Sequence, residues 1–170
     1  MTPQTVNAVN LPLQNALNFP AAILQPPFFD PLAPAAVNYG AIGAVIGHEI
    51  SHTFDSEGSA FDSKGRMRNW WKPADFDHFN AATTKLATQY DAYKPFSDLP
   101  INGKQTLAEN IADVAGISAA YDGCPRPISG PDSVSTEPGT FQRSMADPEL
   151  SGVAMISTGG RTTLPDGAAC

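Results

Sequence analysis

At residues 39–54 the chain reads YGAIGAVIGHEISHTF, and this stretch decides how the fold is organised. Nearly every position in it is small or apolar. The exceptions are His48, Glu49, Ser51 and His52. Such a composition is typical of a helix that is buried all round, so we expect a central helix from Tyr39 to Phe54. The spacing of Gly40, Gly43 and Gly47 is not that of a phosphate-binding loop and favours close packing of this helix against another.

The polar residues of this helix have the spacing of a metal chelate. His48 and His52 are one helical turn apart on the same face, so each can direct one ring nitrogen at a common ion. Glu49 would lie beside the open position of that ion and accept a proton from a bound water, as in zinc-dependent hydrolases. Polar groups on an apolar helix are costly to bury unless something satisfies them, and a divalent cation does so. The pattern therefore predicts His48 and His52 as metal ligands and Glu49 as a general base.

A catalytic zinc normally has three protein ligands and one water, so a third donor is expected elsewhere in the chain. Glu109, in the segment TLAENIAD at residues 106–113, is the candidate. It shares a face of small residues with Asp113, which would accept a hydrogen bond from the far nitrogen of a ligand histidine. Thr106 and Glu109 also have the spacing of a capping box, and the residues alone leave ligand and cap equally open.

Asp55, three residues after His52, has two interpretations of its own. It can orient that histidine by a hydrogen bond to the ring nitrogen that faces away from the metal, or it can simply end the helix as a turn residue. His78 has acidic neighbours and no partner at chelate spacing, so it is expected to be a surface histidine.

The remaining elements follow from proline, glycine and periodicity. The proline-dense run Pro20–Pro34 should be irregular. Short strands are predicted at Thr5–Ala8 and Leu17–Phe19. Further helices are predicted at Pro73–Tyr90 and Thr106–Tyr121. Turns are predicted at Asp62–Gly65 and Asn102–Gly103.

Composition excludes some functions and divides the chain. With 10 Lys and Arg against 17 Asp and Glu, the net charge is -7 and no basic block is present, so nucleic acid is not an expected partner. The longest run of small and apolar residues is far shorter than the roughly 20 residues that cross a bilayer, so no transmembrane segment is predicted. The histidines and nearly all aromatic residues lie in residues 1–121, whereas residues 122–170 are rich in Gly, Pro, Ser and Thr. We expect a folded part at 1–121 and a disordered tail at 122–170.

Several motifs then occur together in one order. They are Val6-Asn7-Ala8, the run FPAAILQPPFF at residues 19–29, the histidine motif followed by Phe54-Asp55, the pair Trp70-Trp71, and Asn102-Gly103 leading to Glu109 and Asp113. In these motifs residues 1–121 resemble the catalytic domain of the neprilysin family of zinc endopeptidases.

The resemblance implies an α+β, mainly helical fold, the thermolysin-like zincin (gluzincin) core in incomplete form. It implies one Zn²⁺ per chain held by His48, His52 and Glu109, with Asp113 orienting a ligand histidine. It further implies an oligopeptide substrate whose backbone is held by Asn7 and Ala8 on an edge strand. An apolar side chain of that substrate would enter a pocket formed by Ile23, Phe28 and Val45.

The sequence also departs from the family pattern. Members of the family continue past the position of Tyr121 with more helix, a histidine that stabilises the reaction intermediate and an arginine that binds substrate, and no match to these follows here. The large amino-terminal region of the family is also unmatched. We therefore expect a fragment with weak or no activity, and the alternative is a non-catalytic remnant that binds zinc or peptide. A third possibility is a structural module without zinc, in which Glu109 caps its helix. Family members are often exported or membrane-anchored, and the compartment of this chain is left open.

Overall fold

The computed structural model describes residues 1–124. Residues 125–170, and with them most of the predicted tail, lie outside the described part. The regular elements in chain order are strands β1 (Val9–Leu11) and β2 (Ala16–Asn18) and helices α1 (Ala35–Asn38), α2 (Ala44–Ser51), α3 (Pro73–Asp91) and α4 (Leu107–Gly123). Short 3-10 turns lie at Ala21–Ile23, His52–Phe54 and Gly58–Ala60, and a π-helical turn lies at Tyr39–Gly43.

Strands β1 and β2 form an antiparallel hairpin in which Asn10 faces Leu17. The chain reverses through residues 12–15, where Asn15 adopts a φ of 46°, a conformation that asparagine tolerates better than most residues. The predicted first strand, Thr5–Ala8, is wrong because the ladder begins at Val9, whereas the second was predicted within one residue. Continuing the register would pair Ala8 with Phe19 and Asn7 with Pro20, and a proline has no N–H to extend a ladder.

The predicted central helix is present but longer at its start. The chain becomes helical at Ala35, directly after Pro34, passes through the π-helical turn, and continues through α2 to the 3-10 turn ending at Phe54. The prediction that this helix is buried all round is wrong. Ile46, Ile50 and Phe54 are 39%, 48% and 50% exposed, because the described elements cover only the opposite side.

Helices α3 and α4 match the predicted segments within two residues at each end. Helix α4 packs along α2 through small residues. A Cβ added at Gly47 would be 2.9 Å from the Cα of Gly116, and one added at Gly116 would be 2.6 Å from the carbonyl oxygen of Ala44. The expectation of close helix packing is thus confirmed for Gly47, whereas Gly40 faces open space.

The buried core is small and lies beside this helix pair. Its centre consists of Ala8, Ile23 and Ile42, and four partly buried residues pack against it: Phe19, Phe28, Phe29 and Val45. Helix α3 is largely exposed and buries only Thr83. No helix in residues 1–124 is long and apolar enough to cross a membrane.

Candidate metal centre

The two histidines of α2 and the following turn meet at their outer nitrogens. His48 Nε2 and His52 Nε2 are 3.0 Å apart, and the ring planes stand at 89° to one another. This geometry follows from the helix, because residues four apart lie one above the other on the same face.

The inner nitrogens of both rings are held by carboxylates. His48 Nδ1 is 2.8 Å from Asp113 Oδ1, and His52 Nδ1 is 2.6 Å from Asp55 Oδ2. An ionised carboxylate only accepts hydrogen bonds, so each Nδ1 carries the proton and, in the neutral ring, each Nε2 presents a lone pair to the space between the rings. The hydrogen bond to Asp113 raises the pKa of His48, and the bond to Asp55 raises the pKa of His52, against the opposing effect of burial.

Glu109 reaches the same point from α4. Its Oε2 is 3.4 Å from His48 Nε2 and 3.8 Å from His52 Nε2. The capping-box alternative is not realised, since no side chain caps the start of α4 and Thr106 Oγ1 instead donates to the Asn102 carbonyl. Three donor atoms from two helices therefore converge on one position.

The triangle of donor atoms fits a zinc ion. With zinc bonds of about 2.0–2.1 Å to nitrogen and carboxylate oxygen in tetrahedral geometry, neighbouring donors lie about 3.3 Å apart. The three observed separations are 3.0, 3.4 and 3.8 Å, so only small side-chain movements would close the shell. The Glu109 side chain is 67% exposed, which leaves one side of the position open to a water or a substrate. The role of the three residues as ligands stays a prediction that this geometry supports.

Asp55 has both of the roles considered for it, since it contacts His52 and also forms the turn at the end of the helix. Its Oδ1 accepts the backbone N–H groups of Glu57 and Gly58, each at 2.7 Å, while Oδ2 contacts His52. Burial alone would raise the pKa of Asp55, but the hydrogen bonds from His52, Gly58 and Glu57 outweigh it and lower that pKa. Gly58 permits this loop because a Cβ there would lie only 1.7 Å from the His52 carbonyl oxygen. Nothing in the local sequence pattern indicated this role of Gly58.

Glu49 lies on α2 next to His48 and is only 6% exposed. Its main-chain carbonyl accepts a hydrogen bond of 2.7 Å from Asn10 Nδ2, and the same Nδ2 is 3.1 Å from Thr53 Oγ1. Sequence reasoning missed Asn10. The available signal was a polar residue between the apolar Val9 and Leu11 of a short strand.

The other predicted site residues are placed as follows. Asn7 is exposed and Ala8 is buried, and both precede β1 rather than lying within a strand as predicted. Their contact with substrate remains a prediction. Ile23, Phe28 and Val45 do come together, in the apolar cluster around Ile42. His78 is exposed on α3, as expected.

One helix carries two imidazoles that are backed by carboxylates, a second helix adds a carboxylate, and a buried glutamate lies beside them. This arrangement is typical of the zinc-dependent metallopeptidases called zincins. The chain belongs to peptidase family M13, whose sequence pattern matches residues 7–136.

The relatives and structural neighbours agree with this assignment. The chain is 47% identical over 132 residues to Neprilysin-3 of Drosophila melanogaster, covering 78% of this chain and 17% of that protein. It is 46% identical over 121 residues to Endothelin-converting enzyme 1 of Homo sapiens, covering 71% and 16%. Its fold matches that of zinc metalloprotease Zmp1 of Mycobacterium tuberculosis, in complex with inhibitor, at a TM-score of 0.69 and 44% identity. That match covers 85% of this chain and 23% of the other.

A further structural neighbour is PepO from Lactobacillus rhamnosis, with a TM-score of 0.68, 42% identity and coverage of 72% and 19%. These neighbours confirm a partial, mainly helical metallopeptidase core. The chain spans about a sixth of the length of the curated relatives named here.

Proposed function

We propose that this chain is a zinc-dependent endopeptidase domain that hydrolyses peptide bonds in oligopeptides, with one Zn²⁺ held by His48, His52 and Glu109. The observation that carries the proposal is the convergence of three donor atoms within 3.0–3.8 Å, with both histidine rings held from behind by carboxylates. A surface cluster of acidic residues would not orient two imidazole lone pairs in this way.

When bound, the metal would polarise a substrate carbonyl and lower the pKa of a coordinated water to about 7. The chain's own residues carry the other parts of the reaction. Glu49 accepts a proton from the attacking water and passes it to the leaving nitrogen, so its carboxylate acts first as base and then as acid. Asp113 and Asp55 keep the rings of His48 and His52 in one tautomer and one orientation throughout.

The hairpin supplies a position for the substrate backbone. Within the described residues β1 pairs on one edge only, with β2, so its other edge is open to an extended peptide. The backbone and side chain of Asn7, just before β1, would extend that contact. An apolar substrate side chain would be received near Phe28 and Val45, which are only partly buried in the apolar cluster.

A second candidate is a chain that binds zinc and peptide with weak turnover or none. A peptidase needs donors that stabilise the negatively charged oxygen of the intermediate, and losing one such donor typically costs about 100 to 1,000-fold in rate. The chain has three histidines, and no histidine follows His78, which is exposed on α3. Because His48 and His52 are the proposed ligands, His78 is the one other histidine within residues 1–124.

Metal content and turnover of the full chain test the proposal together. Purified protein should contain one zinc per chain and cleave a quenched oligopeptide, and Glu49→Gln should abolish cleavage while retaining the zinc. Glu57→Gln is the matched control, because it makes the same chemical change on an exposed side chain of the following loop. One zinc without cleavage in the unmodified chain would favour the second candidate. Absence of stoichiometric zinc would contradict both and leave a structural module.

A further inference from the structure

Asn10 is a strand residue whose side chain reaches the helix that carries Glu49. Its Nδ2 group donates to the Glu49 carbonyl oxygen at 2.7 Å and to Thr53 Oγ1 at 3.1 Å. The orientation of the amide is settled chemically, because a carbonyl oxygen only accepts and must therefore face the NH₂ group. In residues 1–124 no other side-chain hydrogen bond joins β1 to α2.

This contact joins the two parts of the proposed site that must keep a constant separation. One part is β1, along whose open edge the substrate backbone is proposed to lie, and the other is the helical turn that bears the base. The bond ends on the main chain of Glu49 itself, not on a neighbouring side chain. A shift of β1 relative to α2 would move a bound peptide relative to both the base and the metal position.

An apolar side chain at this position could fill the same part-buried space but could not fix the separation. Apolar packing is non-directional, whereas a hydrogen bond has a narrow range of lengths and angles. Here one NH₂ group uses both of its hydrogens, on two acceptors one helical turn apart, and so resists both sliding and rotation of the strand. Displacements of about 1 Å between reacting groups can cost about 100-fold in rate.

We infer that Asn10 is a positioning residue that sets the distance between a peptide on β1 and the Glu49 and zinc positions on α2. This inference rests on the proposed function. The side-chain hydrogen bonds of Asn10 go to the Glu49 carbonyl and Thr53 Oγ1 and not to a proposed metal ligand or reacting atom, so its loss should leave zinc binding intact. The specific loss should appear only in ligands that engage the metal and the strand at the same time.

The experiment compares two inhibitors of the full-length, zinc-loaded chain. Acetohydroxamate binds the metal alone, whereas a dipeptide hydroxamate binds the metal and can also lie along β1, which adds affinity through effective concentration. The measured quantity is the dissociation constant of acetohydroxamate divided by that of the dipeptide hydroxamate. This ratio reports the alignment of strand and metal position without requiring turnover. We expect Asn10→Ala to reduce this ratio by about 10-fold or more and to change the acetohydroxamate constant less than about twofold. Where peptide cleavage is measurable, kcat should fall more than KM rises.

Two further variants separate positioning from general stability. Asn38→Ala removes another side-chain amide that donates to a main-chain carbonyl, that of Asp30, at 2.7 Å, and it should lower stability without changing the ratio. Thr53→Val keeps the bond to Glu49 and should cause a smaller loss than Asn10→Ala. If Asn10→Ala does not fold, Asn10→Asp decides the matter, because it keeps the shape but replaces the donor with an acceptor facing the Glu49 carbonyl.

The outcomes distinguish this inference from the proposed function. An unchanged ratio in a folded Asn10 variant, or equal weakening of both inhibitors, would overturn the positioning role while leaving the zinc site in place. A wild-type chain that binds both hydroxamates equally would overturn it as well, since no peptide then lies on β1. A chain that takes up no zinc would instead overturn the proposed function, and the inference with it.

Discussion

Helices α2 and α4 pack against each other backbone to backbone, whereas the close backbone contact of α3 is with a loop, where a Cβ at Gly103 would lie 2.0 Å from the Ala87 carbonyl oxygen. Along α2 and α4 the buried positions are mostly small, and Gly47 and Gly116 meet with no room for a side chain on either. Helix α3 is longer, at 19 residues, but buries only Thr83. Histidines occur in both regions, yet only those of the close-packed pair face each other and a carboxylate. Here a histidine becomes part of a candidate site where its helix packs closely on a second helix that carries carboxylates.

The carboxylates near the candidate site and those of the loop before α3 have different partners. Asp55 and Asp113 contact histidines, whereas Asp62, in the loop before α3, binds the guanidinium groups of Arg66 and Arg68 at 2.8 and 2.7 Å. The Arg66 hydrogen bond holds the pKa of Asp62 far below its usual range. Asp62 thus stabilises its own loop, whereas Asp55 and Asp113 hold the rings of the two histidines proposed as metal ligands.

The largest effect that separates the two regions should come from removing Glu109, the third proposed ligand. Glu109→Ala is expected to weaken zinc binding by at least about 100-fold, because two histidines alone leave the ion with too few protein ligands. His78→Ala on α3 should leave zinc affinity unchanged. Zinc titration against a fluorescent chelator measures both, and equal affinities for wild type and Glu109→Ala would contradict the site.

The contact between helices can be disrupted directly. Gly116→Ala should destabilise the fold by about 1–3 kcal/mol or more, because the new Cβ would overlap backbone atoms of Ala44 and His48. Gly40→Ala is the matched control, since nothing lies within 4 Å of its Cβ position, and it should be neutral or slightly stabilising. Urea unfolding monitored by circular dichroism gives both values. A Gly116→Ala protein as stable as Gly40→Ala would show that α2 and α4 are not in close contact.

Removing the hydrogen bond behind His48 should have a smaller effect. Asp113→Asn is expected to reduce zinc affinity by about 10- to 100-fold, because the amide no longer enforces one tautomer or raises the basicity of the ring. Asp77→Asn on α3 makes the same change on an exposed side chain and should have no effect. The ratio of the two zinc affinities is the measurement, and a ratio near one would remove Asp113 from the site.

The smallest expected effect is a pH dependence of the metal-free protein. Because the pKa values of His48 and His52 are raised on folding, by their bonds to Asp113 and Asp55, the folded state binds more protons than the unfolded state near neutral pH. The resulting stabilisation is complete below about pH 6.5 and is lost as the pH rises through the raised values. Zinc affinity should change in the opposite direction, because the ion displaces those protons.

Thermal unfolding and zinc titration between pH 5.5 and 8.5 test this pair of trends. His52→Gln should flatten the stability curve of the metal-free protein, whereas His78→Ala should not. A metal-free protein whose stability rises across this window would contradict the assigned His–Asp pairs.

The sequence predicted best what depends on local periodicity. Helices α3 and α4 were placed within two residues, and the helix that carries the histidine motif was placed correctly at its end but four residues late at its start. A proline at a helix start and histidines four residues apart are local signals. The first strand was misplaced because its boundary depends on pairing with β2 and on Pro20, which lies in another segment. The choice between ligand and cap for Glu109 stayed open because it depends on where Gly116 places α4 against α2. Asn10 and Gly58 were missed for the same reason: each acts through a contact distant in the chain or hidden in a loop.

The proposed triangle of ligands, His48, His52 and Glu109, would also select which ion is bound. Calcium prefers six to eight oxygen ligands at about 2.3–2.6 Å. Because carboxylates fix both histidine rings, the two nitrogens and one oxygen of the triangle cannot rearrange into such a shell. Magnesium is disfavoured as well, because it demands oxygen donors in octahedral geometry and releases its waters reluctantly. In competition with either of those ions, this small triangle would favour borderline-soft ions that accept four ligands, among them zinc and cobalt.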